Sequence, residues 1–311
     1  MNSPAADRAR IGIVGLGNMG FPMASRLVDA GFEVHGYDRD EASSTRAAVA
    51  GVLIADSAEA VAASADVIVL LLPNSDVVDA VAAQLAAAAG RVASVIVDMS
   101  SSAPMRTQAL AARLAEAGIV LVDAPVSGGV RGAEAGTLTI MVGGSVEQID
   151  SLAPIFDVLG SRVVRVGNVG AGHAVKALNN LLSATHLLAT NEAVVVAARF
   201  GIDPELLLSA VNTSSGRSAS SERKLPDFVL TGAFNSGFAA ALMEKDVRIA
   251  ASLADELGVA TPVAHSVLES WHELGSELEA GADHTEIIRP LEERAEVTIR
   301  SMAFDGERRS A

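Results

Sequence analysis

With 311 residues the chain is too long for one ordinary hydrophobic core, and about two folding units follow from typical domain sizes. Half of the residues are apolar but only 3% are aromatic, so the cores are built from Ala, Val, Leu and Ile. A net charge of -15 repels polyanions and argues against nucleic acid as a partner, and the lack of any Cys excludes disulfides, thiolate-bound metal and thiol nucleophiles.

The first ten residues are polar, without the apolar stretch that directs export, and no run reads as the roughly 20 apolar residues that span a bilayer. A cytoplasmic protein with no membrane contact is the expectation. From residue 10 to about 166 short β-rich runs alternate with Ala-rich helical stretches, the pattern of a mostly parallel sheet covered on both faces. Strands are expected at 11–14, 33–37, 67–71, 95–98, 120–123, 138–142 and 162–166.

The first strand runs directly into Gly15, Leu16, Gly17, Asn18, Met19 and Gly20, with the glycines at dinucleotide-binding spacing and a helical stretch after them. In such a turn the first glycine permits the sharp bend, the second lets a pyrophosphate approach the backbone, and the third lets the helix pack on the strand. Asp38 closes the second strand, where a carboxylate accepts hydrogen bonds from the adenosine ribose, which favours NAD; Arg39 beside it is suited to the extra phosphate of NADP. Leu72 and Pro73 follow the third of these strands and Ser101, within a Ser triplet, follows the fourth. Ligands lie at the carboxyl ends of parallel strands, so both segments are expected to face the cofactor; the alternatives are a helix start at Asn74 or Ser75 and a cap before Pro104.

After Gly167 the strand rhythm stops. Residues 172–200 read as one long buried helix, the spine of a second, all-helical domain, and further helices are expected from Pro204, capped by Asp203, and at 238–257 and 262–278. Residues 213–221 read as a loop, and the charged tail from Glu292 onward is expected to fray. The division expected is 1–167 for a dinucleotide-binding domain and 168–311 for a helical substrate and dimerisation domain.

Oxidation of an alcohol by a nicotinamide needs a group that takes the hydroxyl proton. The one Tyr, Tyr37, lies on the ribose strand, and the six His residues make no HExxH-like pair, so no metal is expected and His, Lys or a carboxylate remains. Lys176 stands early in the long apolar helix, where burial lowers an amine's pKa toward neutrality, and Asn180 follows one turn later on the same face. The pair is either an acid/base with its helper, or a snorkelling Lys and a buried structural amide. The glycines after Ser127, Gly128 and Gly129, turn backbone N–H groups toward an anion or simply make a loop flexible. Lys245, next to Asp246, either approaches the cofactor or an acidic substrate, or belongs to a structural ion pair.

These motifs together, GLGNMGFPMASRL, LLPNS, DAPVSGGVRGAEAGTLTIMVGG, GAGHAVKALNN and LMEKDVRIA, resemble the β-hydroxyacid dehydrogenases, which include 3-hydroxyisobutyrate dehydrogenase and tartronate semialdehyde reductase. The resemblance spans nearly the whole chain. It implies an α/β chain: an N-terminal Rossmann domain with a doubly wound, mostly parallel sheet, a long interdomain helix, and an all-α C-terminal domain through which subunits pair as a homodimer or homotetramer. It places the active site in the cleft between the domains, with Lys176 as acid/base aided by Asn180. It also implies that Ser127, Gly128 and Gly129 bind the substrate carboxylate, that Lys245 contacts cofactor or substrate, and that Ser101 lies beside the nicotinamide ribose.

The 6-phosphogluconate dehydrogenases carry a His where this chain has Asn179, and imine reductases replace the Lys that is present here as Lys176. A small β-hydroxyacid or its semialdehyde is therefore the expected substrate. The alternatives are a sugar acid such as threonate, succinic semialdehyde, or a non-catalytic NAD(H) sensor.

Overall fold

The computed structural model describes residues 9–301, so that most of the first ten residues and the end of the charged tail lie outside the described residues. The chain divides into two compact units, Met1–Lys176 and Ala177–Ala311.

In the first unit strands and helices alternate: β1 (Ile11–Val14), α1 (Gly20–Asp29), β2 (Val34–Tyr37), α2 (Glu41–Val49), β3 (Leu53–Ile54), α3 (Ala58–Ser64), β4 (Val67–Leu70), α4 (Ser75–Ala87), β5 (Val95–Asp98), α5 (Pro104–Glu116) and β6 (Val120–Asp123). Then come β7 (Val126–Ser127), α6 (Gly129–Ala135), β8 (Leu138–Gly143), α7 (Val146–Ser151), α8 (Ala153–Leu159) and β9 (Gly160–Gly167). The sheet order is β3-β2-β1-β4-β5-β6-β8-β7, with β9 also on β8. Pairing is parallel from β3 to β6, β8 runs antiparallel to β6 and β7, and β9 is parallel to β8.

Successive side chains of a strand point to opposite faces, and here both faces are apolar. Ile13, Val69, Val97 and Val122 join one core with Met23 and Leu27 of α1 and Phe156 of α8. Ile68, Leu70, Ile96 and Leu121 join the other with Val61, Val78, Leu85 and Leu110 of α3, α4 and α5. This double covering is why the strands read as continuous apolar runs. The two strands missed in sequence, β3 and β7, are two residues each, and β3 is an exposed edge with no run to detect.

The second unit is helical. The long helix α9 (Ala171–Phe200) begins ahead of the boundary and continues through it. It is followed by α10 (Pro204–Asn212), a π-helix Ser220–Val229, α11 (Ala240–Glu256), α12 (Pro262–Gly275), a 3-10 turn His284–Ile288 and α13 (Arg289–Arg294). Asp203 caps α10 as expected, accepting from the N–H groups of Glu205 and Leu206. Ala184, Leu187 and Val194 of α9 share a core with Leu225, Met243, Val247 and the fully buried Trp271.

Three expectations need correction. The loop expected at 213–221 is shorter, because residues from Ser220 wind into the π-helix, with Ser221 and Ser218 satisfying each other's polar groups. Pro226 has no N–H to give to the carbonyl five residues before it, and Asn212 Nδ2 supplies that bond to the Ser221 carbonyl at 3.1 Å.

The tail does not fray at Glu292: this carboxylate is buried and accepts from the Ile299 N–H and from Arg300, while Ile299 is fully buried. Nor is α9 buried throughout, since Leu178, Leu182, Val196 and Phe200 are exposed. By length and composition α9 is long and apolar enough to cross a membrane, contrary to the reading of the sequence, but it supplies core residues to the helical unit.

Candidate active site

The turn after β1 is shaped by its glycines. Gly15 has φ +100°, and a Cβ there would stand 2.2 Å from the Leu71 carbonyl oxygen; a Cβ on Gly20 would stand 1.9 Å from the Gly15 oxygen. At Gly17, by contrast, a Cβ would meet nothing within 4 Å, so the middle of the turn faces open space. Helix α1 has no side-chain cap and no acidic residue in its first turn, whereas α2, α3 and α4 are each capped by a side chain. Uncapped N–H groups at a positive helix end fit a pyrophosphate. The residues present therefore fit a dinucleotide.

Asp38 follows β2, and its carboxylate accepts the Leu16 N–H at 2.7 Å and the Asp40 N–H at 2.9 Å. These bonds fix its plane at the mouth of the glycine turn. Arg39 is exposed. Asn74 caps α4, its side chain accepting the Val77 N–H, which realises the helix-start alternative for that residue while Leu72 and Pro73 form the segment before it.

The Ser triplet is not a helix cap. Ser100 Oγ accepts the Leu72 N–H, Ser102 Oγ donates to Asp98, and Ser101 lies between them, partly exposed.

Sequence reasoning missed a buried polar centre here. His173, fully buried in the first turn of α9, has Nδ1 at 2.8 Å from Thr107 Oγ1 and Nε2 at 3.1 Å from the Ser100 carbonyl oxygen. Asp123 accepts the N–H groups of Gly170 and His173 at 2.7 and 2.8 Å, holding the start of α9 against the end of β6. Burial pushes the Asp123 carboxyl up, against the opposing pull of His173 and these N–H donors. The available signal was that two otherwise apolar strands, β5 and β6, both end in Asp, and a carboxylate at the carboxyl end of a buried strand needs a partner.

One turn beyond this anchor, Lys176 is half-buried and its Nζ donates to the Val126 carbonyl oxygen at 2.9 Å. That carbonyl immediately precedes Ser127, Gly128 and Gly129. Ser127 pairs with Thr139 across β7 and β8, and Gly128 and Gly129, the cap and first residue of α6, take φ +133° and +62°, so the segment is an ordered strand-to-helix turn. The structure thus brings Lys176 to the turn expected to grip a carboxylate.

In the helical unit Asn180 is buried, its Nδ2 donating to Asp246 and its Oδ1 accepting from Asn179. Lys245 Nζ lies 3.7 Å from the buried Asp246. Asp246 therefore orients Asn180, a role the sequence did not suggest because 66 residues separate them.

A second cluster surrounds the 3-10 turn. Lys224 of the π-helix donates to Ser183 of α9 at 2.7 Å, and the Phe238 and His284 rings meet edge to face at 5.7 Å. Burial holds the His284 imidazole below its usual value, opposed by its bond to Asp283, with the Lys224 cation adding to the depression. Although burial works against it, hydrogen bonds from His284, Thr285 and Ser236 hold Asp283 far below the carboxylate range.

Comparison with known proteins identifies the family. The family model for the NAD binding domain of 6-phosphogluconate dehydrogenase matches residues 10–167, and the model for NAD-binding of NADP-dependent 3-hydroxyisobutyrate dehydrogenase matches residues 170–291. The chain is 38% identical to 2-(hydroxymethyl)glutarate dehydrogenase of Eubacterium barkeri, over 93% of this chain and 97% of the relative. It is 32% identical to the mitochondrial 3-hydroxyisobutyrate dehydrogenase of Drosophila melanogaster, over 85% of each. The solved Mycobacterium tuberculosis 3-hydroxyisobutyrate dehydrogenase with L-serine superposes with a TM-score of 0.86 at 31% identity, over 91% of this chain and 99% of that one. With a glycine turn that fits a dinucleotide and relatives aligned along nearly its full length, the chain belongs to the β-hydroxyacid dehydrogenase family and is an NAD(P)-dependent hydroxyacid dehydrogenase.

Proposed function

We propose that Lys176 is the general acid/base of a dehydrogenase acting on a small β-hydroxyacid, of the 3-hydroxyisobutyrate or 2-(hydroxymethyl)glutarate kind, and its semialdehyde. The observation that carries this is the Lys176 amine donating to the Val126 carbonyl oxygen at 2.9 Å, at the edge of the Ser127–Gly128–Gly129 turn. A carboxylate received by that turn brings the neighbouring alcohol to the amine. Bound nicotinamide supplies the hydride acceptor. Lys176 Nζ takes the hydroxyl proton as the carbonyl forms and returns it in the reverse direction.

Asn180, oriented by Asp246, holds the alcohol oxygen. The N–H groups of the Gly15–Gly20 turn bind the pyrophosphate, Asp38 accepts from the ribose hydroxyls and favours NAD over NADP, and Leu72, Pro73, Ser101 and Lys245 border the cofactor. We place the enzyme in the cytoplasm as a homodimer or homotetramer, with the exposed Leu182, Val196 and Phe200 of α9 as the apolar surface that pairing would cover.

The test is a panel of C3 to C5 hydroxyacids with NAD and then NADP, followed by the absorbance of the reduced ring, with Lys176→Ala in parallel. Turnover is expected to fall roughly 10²- to 10⁴-fold in the variant while NAD affinity is retained. Normal turnover by Lys176→Ala would refute the assignment.

A further inference from the structure

His173 is a fully buried titratable group with no part in the chemistry assigned so far, and its contacts run in two directions. Its own N–H and that of Gly170 donate to Asp123, so a carboxylate at the end of β6 caps the start of α9 and satisfies N–H groups that a helix end leaves unpaired. No slack remains at this contact: a Cβ on Gly172 would collide with the Met141 carbonyl oxygen, and one on Gly143 with the Asp123 carboxylate. Shortly after Asp123 comes Val126, whose carbonyl oxygen receives Lys176 Nζ at 2.9 Å. One strand end and the turn after it therefore hold both the backbone of the first turn of α9 and the amine that this turn carries.

The imidazole reaches the other way. Its Nε2 lies 3.1 Å from the Ser100 carbonyl oxygen, which can only accept, so Nε2 carries a proton and donates it there. Nδ1 lies 2.8 Å from Thr107 Oγ1 in the first turn of α5. Two carboxylates stand farther from the ring, Asp98 at 3.7 Å and Asp123 at 3.8 Å. Each is taken up by other donors, Asp98 by the Ser100 N–H and the Ser102 hydroxyl, Asp123 by the helix start. Ser100 in turn accepts the Leu72 N–H on its hydroxyl and precedes Ser101, so the imidazole ties α9 to the two segments proposed to border the cofactor. All of these groups lie in the first compact unit.

We propose that His173 is a positioning residue for Lys176: its Nε2–H bond to the Ser100 carbonyl sets the first turn of α9, and with it Lys176 Nζ, at a fixed distance from the Leu72 and Ser101 segments. The proposal rests on the reading of Lys176 as acid/base and of those segments as the nicotinamide side of the site. A buried polar cluster gains little stability over well-packed apolar side chains, so the worth of this one lies in holding a single geometry. His173 and Lys176 are neighbours on one face of α9, at i and i+3, so a tilt of the helix start at His173 is carried to the amine. A displacement of about 1 Å at a reacting group costs on the order of 10²-fold in rate.

The experiment compares His173→Gln, whose amide N–H reaches the Ser100 carbonyl, with His173→Met, a side chain of similar length and no donor. It measures kcat and KM with the best hydroxyacid of the panel, NADH affinity by fluorescence titration, and the rate at which trinitrobenzenesulfonate labels Lys176 in the protein without cofactor. His173→Met is expected to lose roughly 10- to 100-fold in kcat, with KM and NADH affinity within about 3-fold of wild type, and to label severalfold faster at Lys176. His173→Gln recovers most of kcat and the wild-type labelling rate, although both variants lose the Thr107 bond and some thermal stability. Should His173→Met not fold, His173→Asn, whose amide reaches Thr107 but not Ser100, takes its place. Equal kcat and labelling in the two variants, or a loss of kcat with Lys176 labelling unchanged, overturns the positioning and leaves the acid/base reading to Lys176→Ala. A labelling difference between the two variants beside a Lys176→Ala that turns over normally keeps His173 as the group that places the amine and overturns the acid/base reading.

Discussion

The two units of this protein build their polar sites in opposite ways. In the sheet unit the groups we propose to face the ligand are largely backbone N–H groups, set by glycines and strand ends a few residues apart. In the helical unit the polar groups are side chains brought together over 41 to 66 residues of sequence, as in Lys224 with Ser183 and Asn180 with Asp246. A site made of backbone is written in local spacing, whereas a site made of side chains depends on packing that spacing does not record.

Substitutions can break or sharpen this contrast. The largest effect is the loss of turnover in Lys176→Ala, at the point where a side chain meets the backbone turn. Next, Trp271→Ala should remove about 3 to 5 kcal/mol of unfolding free energy in a urea titration, because the fully buried indole is the largest side chain in the helical core. A loss under about 1 kcal/mol would show that this core collapses around the cavity.

The glycine turn offers a sharper pair. Gly17→Ala should keep the wild-type thermal midpoint yet weaken NAD binding by roughly 10-fold or more, since a Cβ there meets no protein atom and enters the space proposed for the pyrophosphate. Gly20→Ala should lose both, because its Cβ meets a backbone oxygen at 1.9 Å. Equal behaviour of the two variants in calorimetry and NAD titration would remove the distinction between ligand space and packing space.

The smallest effect concerns pH. His284 is held below its ordinary value of 6.5, so the unfolded chain binds a proton there that the folded one resists. The stability from this group is complete above about pH 6.5 and is lost as pH falls toward the lowered folded value. The denaturation midpoint should therefore fall less between pH 7 and pH 5.5 in His284→Gln than in the wild type.

Much of the sheet unit was legible because its strands are apolar on both faces and its glycines occur at fixed intervals. Ile11–Val14, Val95–Asp98 and Val120–Asp123 begin and end where the sequence pattern does. What was not legible there is the buried polar centre: Asp98, Asp123 and His173 each look like ordinary strand ends and a helix residue until the fold puts both carboxylates within 4 Å of the imidazole. In the helical unit the long helices were legible through periodicity and the Asp203 cap. The π-helix was not, since Ser, Glu, Arg and Pro mimic a loop, and its Pro is accommodated only because Asn212 stands nearby.

The clasp at Glu292 has a practical consequence for anyone shortening this protein. The match to the helical family model stops at residue 291, one position before the carboxylate that holds Ile299 and Arg300 in place. A fragment cut there would strip an isoleucine from the interior, uncover the Leu230 carbonyl that Ser301 N–H now caps, and remove one of the two guanidinium groups stacked on Phe234. The family model ends at residue 291, while the packed structure of the helical unit extends to Ser301, ten residues past it.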